Sequence, residues 1–176
     1  MIIRIFNYIY KRIVWFLVNH VLDGTNPMYF TYKRKLLISI GINVGRNTKI
    51  VGPIFCTGKL SIGESCWIGA NFTVRGNGSV TIGNNVDIGP DVTFLTGSHE
   101  IGGKERRAGQ GYNCNQKIGN GCWLGAKSVF VNNICVGDSI VVAAMALVCK
   151  DVSDNVLIGG VPAKIIKTLS SDETDK

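Results

Sequence analysis

IGNGCWLGAKSVFVNNICVGDSIVVAAMALVCKDV, residues 118–152, divides into sixes: IGNGCW, LGAKSV, FVNNIC, VGDSIV, VAAMAL and VCKDV. Each block opens on an aliphatic or aromatic residue: Ile118, Leu124, Phe130, Val136, Val142 and Val148. The fifth place is small or apolar: Cys122, Ser128, Ile134, Ile140, Ala146 and Val152. A fixed short period is the mark of a solenoid, in which one repeat buries little alone and stacked repeats share a core. Side chains of a strand alternate faces with period two, so six residues make a short strand plus a corner. Three blocks then close a triangular coil, with openers and fifth-place residues pointing in. Gly63, Gly83-Asn84-Asn85, Asn132-Asn133 and Gly137-Asp138 supply the turn chemistry that such corners demand.

The same phase runs upstream through Val44, Ile50, Cys56, Ile62, Ile68 and Val74. Two extra residues enter within 76–78, and the phase resumes at Ile82, Ile88 and Phe94. A polar, Gly-rich stretch at 95–117 interrupts it again and reads as a surface loop. IGESCWIGA at 62–70 and IGNGCWLGA at 118–126 nearly duplicate one another. The repeat array therefore spans 42–158, between a leading segment, 1–41, and a closing one, 159–176.

Residues 1–22 are apolar, aromatic and basic. Arg4, Lys11 and Arg12 break the run well short of the roughly 20 apolar residues a spanning helix needs. No small-x-small cleavage site follows. The stretch is expected to be a helix whose Ile/Phe/Trp side packs on the body or on a neighbouring subunit. An interfacial helix on an anionic membrane is the alternative. After the turn at Asp23-Gly24-Thr25-Asn26-Pro27, residues 28–40 read as a second helix that stops at Gly41. Lys33, Arg34 and Lys35 are expected outside it, with Leu36, Leu37 and Ile40 inside. At the other end, Gly159-Gly160 and Pro162 break the repeat. A short C-terminal helix carrying Lys164 and Lys167 is expected from Ala163, followed by a frayed polar tail at 170–176.

Hydrophobic residues at 45% and charged residues at 18% argue against disorder. The net charge of +7 comes from scattered Lys and Arg, with no zinc-finger, RNP or helix-turn-helix pattern, so no nucleic-acid partner is expected. A basic surface facing an anionic cofactor or a membrane fits better. Six cysteines without a CxxC pair, and only two histidines, leave no metal site to expect. With no export signal, the cysteines are expected to be reduced and the protein cytoplasmic. Cys66 and Cys122 hold inward fifth places, where a thiol packs as a small hydrophobe.

The blocks IGNGCWLGA, VGDSIVVAAMALVCKDV and IGGVPAKIIK, with TGSHE upstream, resemble the hexapeptide-repeat acyltransferases over roughly residues 42–168. More narrowly they resemble the branch of galactoside, maltose, streptogramin and surface-polysaccharide O-acetyltransferases. The resemblance implies a left-handed parallel β-helix, an all-β solenoid, assembled as a homotrimer. It also implies acetyl-CoA as donor, active sites at subunit junctions and direct transfer with no covalent enzyme intermediate.

Thr96-Gly97-Ser98-His99 matches the segment that carries the family's catalytic histidine. Acyl transfer to an alcohol also needs a base near neutral pH, which an imidazole supplies, and the other histidine, His20, lies in the apolar N-terminal stretch. Glu100, Asp87 and Asp91 are candidates to orient His99, as is a backbone carbonyl. By the same resemblance the donor's pantetheine arm passes Gly125-Ala126 and Ala143-Ala144, with Trp123 near the thiol end. Lys150, Lys164 and Lys167 match basic residues near the CoA phosphates. The family's active-site Asn aligns here with Gly69, a departure that leaves Trp67, Asn71, Arg75, Asn85 and Asp87 as candidate carbohydrate contacts. The acceptor expected is a unit of a capsule, exopolysaccharide or O-antigen. The alternatives are a small-molecule acetyltransferase of streptogramin type and a non-catalytic trimeric scaffold.

Overall fold

The computed structural model describes residues 2–170. Its body is a parallel β-solenoid of about six turns, built as three sheets around one apolar column. Strand register makes the period explicit. Val44 pairs with Ile62, Ile50 with Ile68, and Ile54 with Phe72, so one turn takes 18 residues. The two extra residues near Gly76 lengthen the next turn to 20, with Ile62 against Ile82 and Val74 against Phe94. The excursion at 95–117 then separates Ile82 from its partner Ile118 by 36 residues without disturbing the register. The 18-residue step returns at once, with Ile118 against Val136 and Phe130 against Val148.

The inward pattern is the one the period predicts. All six openers of 118–152 are buried, and so are the fifth-place residues apart from half-buried Val152. Phe72, Phe94 and Phe130 stack through successive turns at centroid distances of 5.7 and 4.5 Å. Polar fifth-place residues find carbonyl partners, Ser128 in its own coil at Gly125 and the others at the next corner. Thr48 Oγ1 donates to the carbonyl of Gly63, and the thiols of Cys66 and Cys122 donate to those of Gly83 and Gly137. Burial pushes both thiols above the usual cysteine range.

Two rules build the corners. A residue in the left-handed region turns the chain, as at Ser65, Asn85 and Ser139 on one edge and Asn71, Asp91 and Lys127 on another. Side-chain amides and carboxylates then tie one coil to the next. The amide N–H of Glu64 donates to Asn84, that of Asn84 to Asn120, that of Asn120 to Asp138, and that of Asp138 to Asp154.

Two helices cover the start of the solenoid. α1, Ile2–Phe16, runs into a π-helical turn, Leu17–Val21. There Asn19 bonds both the N–H and the carbonyl of Ile54, fixing the helix to the first coil. α2, Pro27–Ser39, starts with Asn26 accepting from the N–H of Met28, and Gly41 follows it at φ +95.

Three expectations are corrected. Lys33 is not on the outside. It is fully buried one turn before Leu37, and its ammonium donates to the carbonyls of Gly24 (2.9 Å) and Val51 (2.7 Å). Adjacent helical residues point about 100° apart, so one member of a basic triplet faces in while Lys35 stays exposed.

The 95–117 stretch is not an irregular loop. It is an antiparallel hairpin of Gly97–Ile101 and Ala108–Asn113, and 115–118 already belongs to the next coil. Neither face of the hairpin is buried, so no apolar alternation marked it.

The C-terminal helix is instead a strand, Lys164–Thr168, running antiparallel to Val156–Gly159. β-Branched Ile165, Ile166 and Thr168 suit a strand, and the strand covers the open edge of one sheet. Residues 171–176 of the expected tail lie outside the described residues.

Candidate active site

The first cluster forms where the hairpin leaves the third coil. Thr96 is buried, donates through Oγ1 to the carbonyl of Arg75 (2.9 Å) and accepts from the N–H of Gly78 (3.2 Å). The N–H of Cys114 returns to the carbonyl of Thr96. Buried Gln116 donates to the carbonyls of Leu95 and Asn132, which clamps the hairpin root to the next coil. Gly76 is required here: it sits at φ +106, and a β-carbon on it would stand 2.6 Å from the N–H of Gly97.

Three residues beyond Thr96, His99 is exposed and faces Gly111 across the hairpin. It borders a shallow depression of about 330 Å³, shared with Gly76, Asn77, Ser98 and Tyr112.

Among the described residues no side chain of the same subunit bonds the imidazole. Asp91 accepts from Asn71 (2.9 Å), and Asp87 lies on a different sheet, between Trp67 and Trp123. Of the candidate acceptor contacts only Arg75 adjoins the depression. It precedes Gly76, and its guanidinium lies 4.1 Å over the ring of Phe55. Trp67 packs edge-on against Phe30 of α2 under Lys49. Asn71 and Asn85 occupy left-handed corner positions, which by themselves explain an Asn at each.

The second cluster lies on another part of the surface. Trp123 is exposed beside Asp87 and Val141. Ala126 and Ala144 sit on the adjoining edge, where the N–H of Met145 donates to the carbonyl of Ala126. Gly125 has its own structural cause: a β-carbon there would stand 2.5 Å from the N–H of Ala144. At the C-terminal end of the prism, Lys150 borders a depression of about 370 Å³ together with Asp151, Ala163 and Ile165. That brings it to the strand carrying Lys164 and Lys167.

One subunit therefore carries His99 on the hairpin, bordering a depression that includes none of Trp123, Ala126 and Ala144. Thr96 and Gln116 hold the hairpin root; the sequence marks Thr96 only as part of the histidine motif, and Gln116 went unrecognised. The signal at Gln116 was a polar residue two places before the opener Ile118, on the inward side of the strand. No group of three His, Cys, Asp or Glu comes together among the described residues in a way that could hold a metal.

No family model matches the chain. A galactoside O-acetyltransferase of Escherichia coli (strain K12) is 29% identical over 150 residues, covering 84% of this chain and 74% of that protein. A protein from the same strain, provisionally named a colanic acid biosynthesis acetyltransferase, is 28% identical over 160 residues, covering 88% and 85%. Among solved structures, a galactoside acetyltransferase in complex with coenzyme A superposes with a TM-score of 0.80 at 25% identity, covering 95% of this chain and 82% of that one. A hexapeptide-repeat acetyltransferase of Vibrio cholerae O1 biovar eltor, complexed with acetyl coenzyme A, gives 0.78 at 25% identity, covering 92% and 86%. The parallel coil thus matches the left-handed β-helix of these acetyltransferases.

Proposed function

The chain belongs to the hexapeptide-repeat acyltransferases, and on that premise we propose that it transfers an acetyl group from acetyl-CoA to a carbohydrate hydroxyl. The observation that carries this reading is His99, held on a clamped hairpin with its imidazole exposed and unbonded by any side chain among the described residues. An exposed base with a free ring edge is what removal of a hydroxyl proton requires.

His99 takes the acceptor's proton as the oxygen attacks the thioester carbonyl. A backbone N–H stabilises the tetrahedral oxyanion. The carbon–sulfur bond then breaks, and the departing CoA thiolate takes the proton from the imidazolium. No step uses a nucleophilic Ser or Cys.

The separation of the two clusters supports a homotrimer with shared sites. The hairpin of one subunit reaches the edge of its neighbour, where Trp123, Ala126 and Ala144 receive the pantetheine arm. Lys150, Lys164 and Lys167 meet the CoA phosphates. Arg75 contacts the acceptor beside His99, with Trp67, Asn71, Asn85 and Asp87 as further contacts supplied across the junction.

The likeness to a relative named for colanic acid biosynthesis favours a surface-polysaccharide unit as acceptor, and we propose that this unit is delivered on a membrane lipid. CoA release measured with free glycosides and with lipid-linked oligosaccharides tests this. Faster release with the lipid-linked acceptors supports it. Release with free glycosides alone removes the polysaccharide reading, and release with neither removes O-acetyl transfer to carbohydrate.

A further inference from the structure

The N-terminal helix carries its apolar stripe outward. Val14, Val18 and half-buried Trp15 face the body, and the Tyr10 hydroxyl donates to Ser39 Oγ (2.8 Å) at the end of α2. Ile5, Phe6, Ile9 and Ile13 recur at helical spacing on the other side and remain about half or more exposed, at 51, 70, 49 and 51%. At 1.5 Å per residue the 15 residues of α1 form a rod about 22 Å long. No helix among the described residues is long and apolar enough to cross a membrane. The stripe can lie on a bilayer but α1 cannot pass through one.

The charge of the chain is concentrated at this end. Residues 1–63 carry nine Lys or Arg against one acid, Asp23, while the remaining residues carry ten against eleven. The whole excess of +7 thus sits on the helices and first coil, and 1–22 contain no acid at all. An apolar stripe bordered by Arg12, on a helix whose other charges, Arg4 and Lys11, are also basic and exposed, is complementary to a surface that is both oily and negative. A second copy of the same face would bring like charges together, which opposes pairing.

We infer that α1 is an interfacial anchor that docks on anionic lipid, with Ile5, Phe6, Ile9 and Ile13 among the acyl chains, Arg12 at the phosphates, and Arg4 and Lys11 adding to the positive field of this end. The anchor holds the first coil against the bilayer. The inference draws on the acetyl-transfer reading only for where the acceptor is delivered, and its test needs no turnover.

The full chain is sedimented at low salt with vesicles of phosphatidylglycerol and phosphatidylcholine, or of phosphatidylcholine alone, without acetyl-CoA or acceptor. The protein is expected to pellet with the anionic vesicles, to stay in solution with the neutral ones, and to be released as salt rises. Ile9→Glu together with Ile13→Glu is expected to cut the bound fraction roughly tenfold with an unchanged melting temperature, since both positions are exposed. Failure of the unsubstituted chain to pellet overturns the inference, as does a double variant that binds as well. A fall in the double variant's mass by light scattering, with no vesicle binding by either protein, assigns the stripe to a second copy and also overturns it.

Discussion

Gly111 presents only backbone to His99: a β-carbon at that position would stand 3.5 Å from Nε2 of the imidazole. The two residues are paired across the hairpin, so the free ring edge and the open depression beside it share one cause. The backbone at Gly111 is not in the left-handed region, so a side chain there is not strained by conformation. Gly111→Leu is therefore expected to fill the depression and cover Nε2. Acetyl transfer should fall by about 10² or more, the scale of a lost general base, while acetyl-CoA affinity and melting temperature hold. Kinetics and calorimetry on the one variant check both halves.

The proposed donor site is tested through charge. Lys150 is exposed and borders the depression that Ala163 and Ile165 also line, and exposed Lys164 lies between those two on the closing strand. Lys150→Ala with Lys164→Ala is expected to weaken acetyl-CoA binding about tenfold at low salt and much less at high salt, because screening already removes an exposed electrostatic contribution. Titration calorimetry at two ionic strengths reads this. A loss independent of salt would remove the phosphate role.

The solenoid's stability rests on its inner column. Phe130 is fully buried and stacks on Phe94 at 4.5 Å. Phe130→Ala removes that contact and leaves a cavity that the rigid coils above and below do not close. The expected cost is about 3–5 kcal/mol, read from denaturant unfolding.

Lys33 gives a pH signature. Burial lowers its pKa from 10.5 to about 8, partly offset by Asp23, which raises it. The folded state thus binds fewer protons than the unfolded state between those values, and stability rises with pH across that window. Below pH 8 the penalty for holding a buried ammonium is fully present. Lys33→Met removes this dependence. The stability of the natural chain relative to the variant is expected to rise between pH 8 and pH 10, measured as the difference in melting temperature.

Much of the fold could be read from the sequence because burial in a solenoid is periodic. Ile118, Leu124 and Phe130 announce three successive sides of a coil, and the phase survives both interruptions. What escaped was whatever the period does not control. The hairpin at 97–113 is exposed on both faces, so nothing alternates. Lys33 looked like surface because its type is usually solvated; only the carbonyls of Gly24 and Val51, brought together by the fold, explain its burial. Ile165, Ile166 and Thr168 pair with an open sheet edge that has no local sequence signal. In the candidate site, the motif and the scarcity of histidine both point to His99, and the structure leaves that expectation to the experiment below. Asn71 and Asn85 were ambiguous because the same residue type suits a sugar hydroxyl and a left-handed corner.

The central claim is that His99 is the base. His99→Ala removes an exposed side chain that bonds nothing among the described residues, so folding and donor binding are expected to stand. The decisive measurement is CoA release by this variant with a carbohydrate acceptor, alongside its acetyl-CoA affinity. The account predicts that turnover falls by about 10³ or more with affinity nearly unchanged. Near-normal turnover would contradict it.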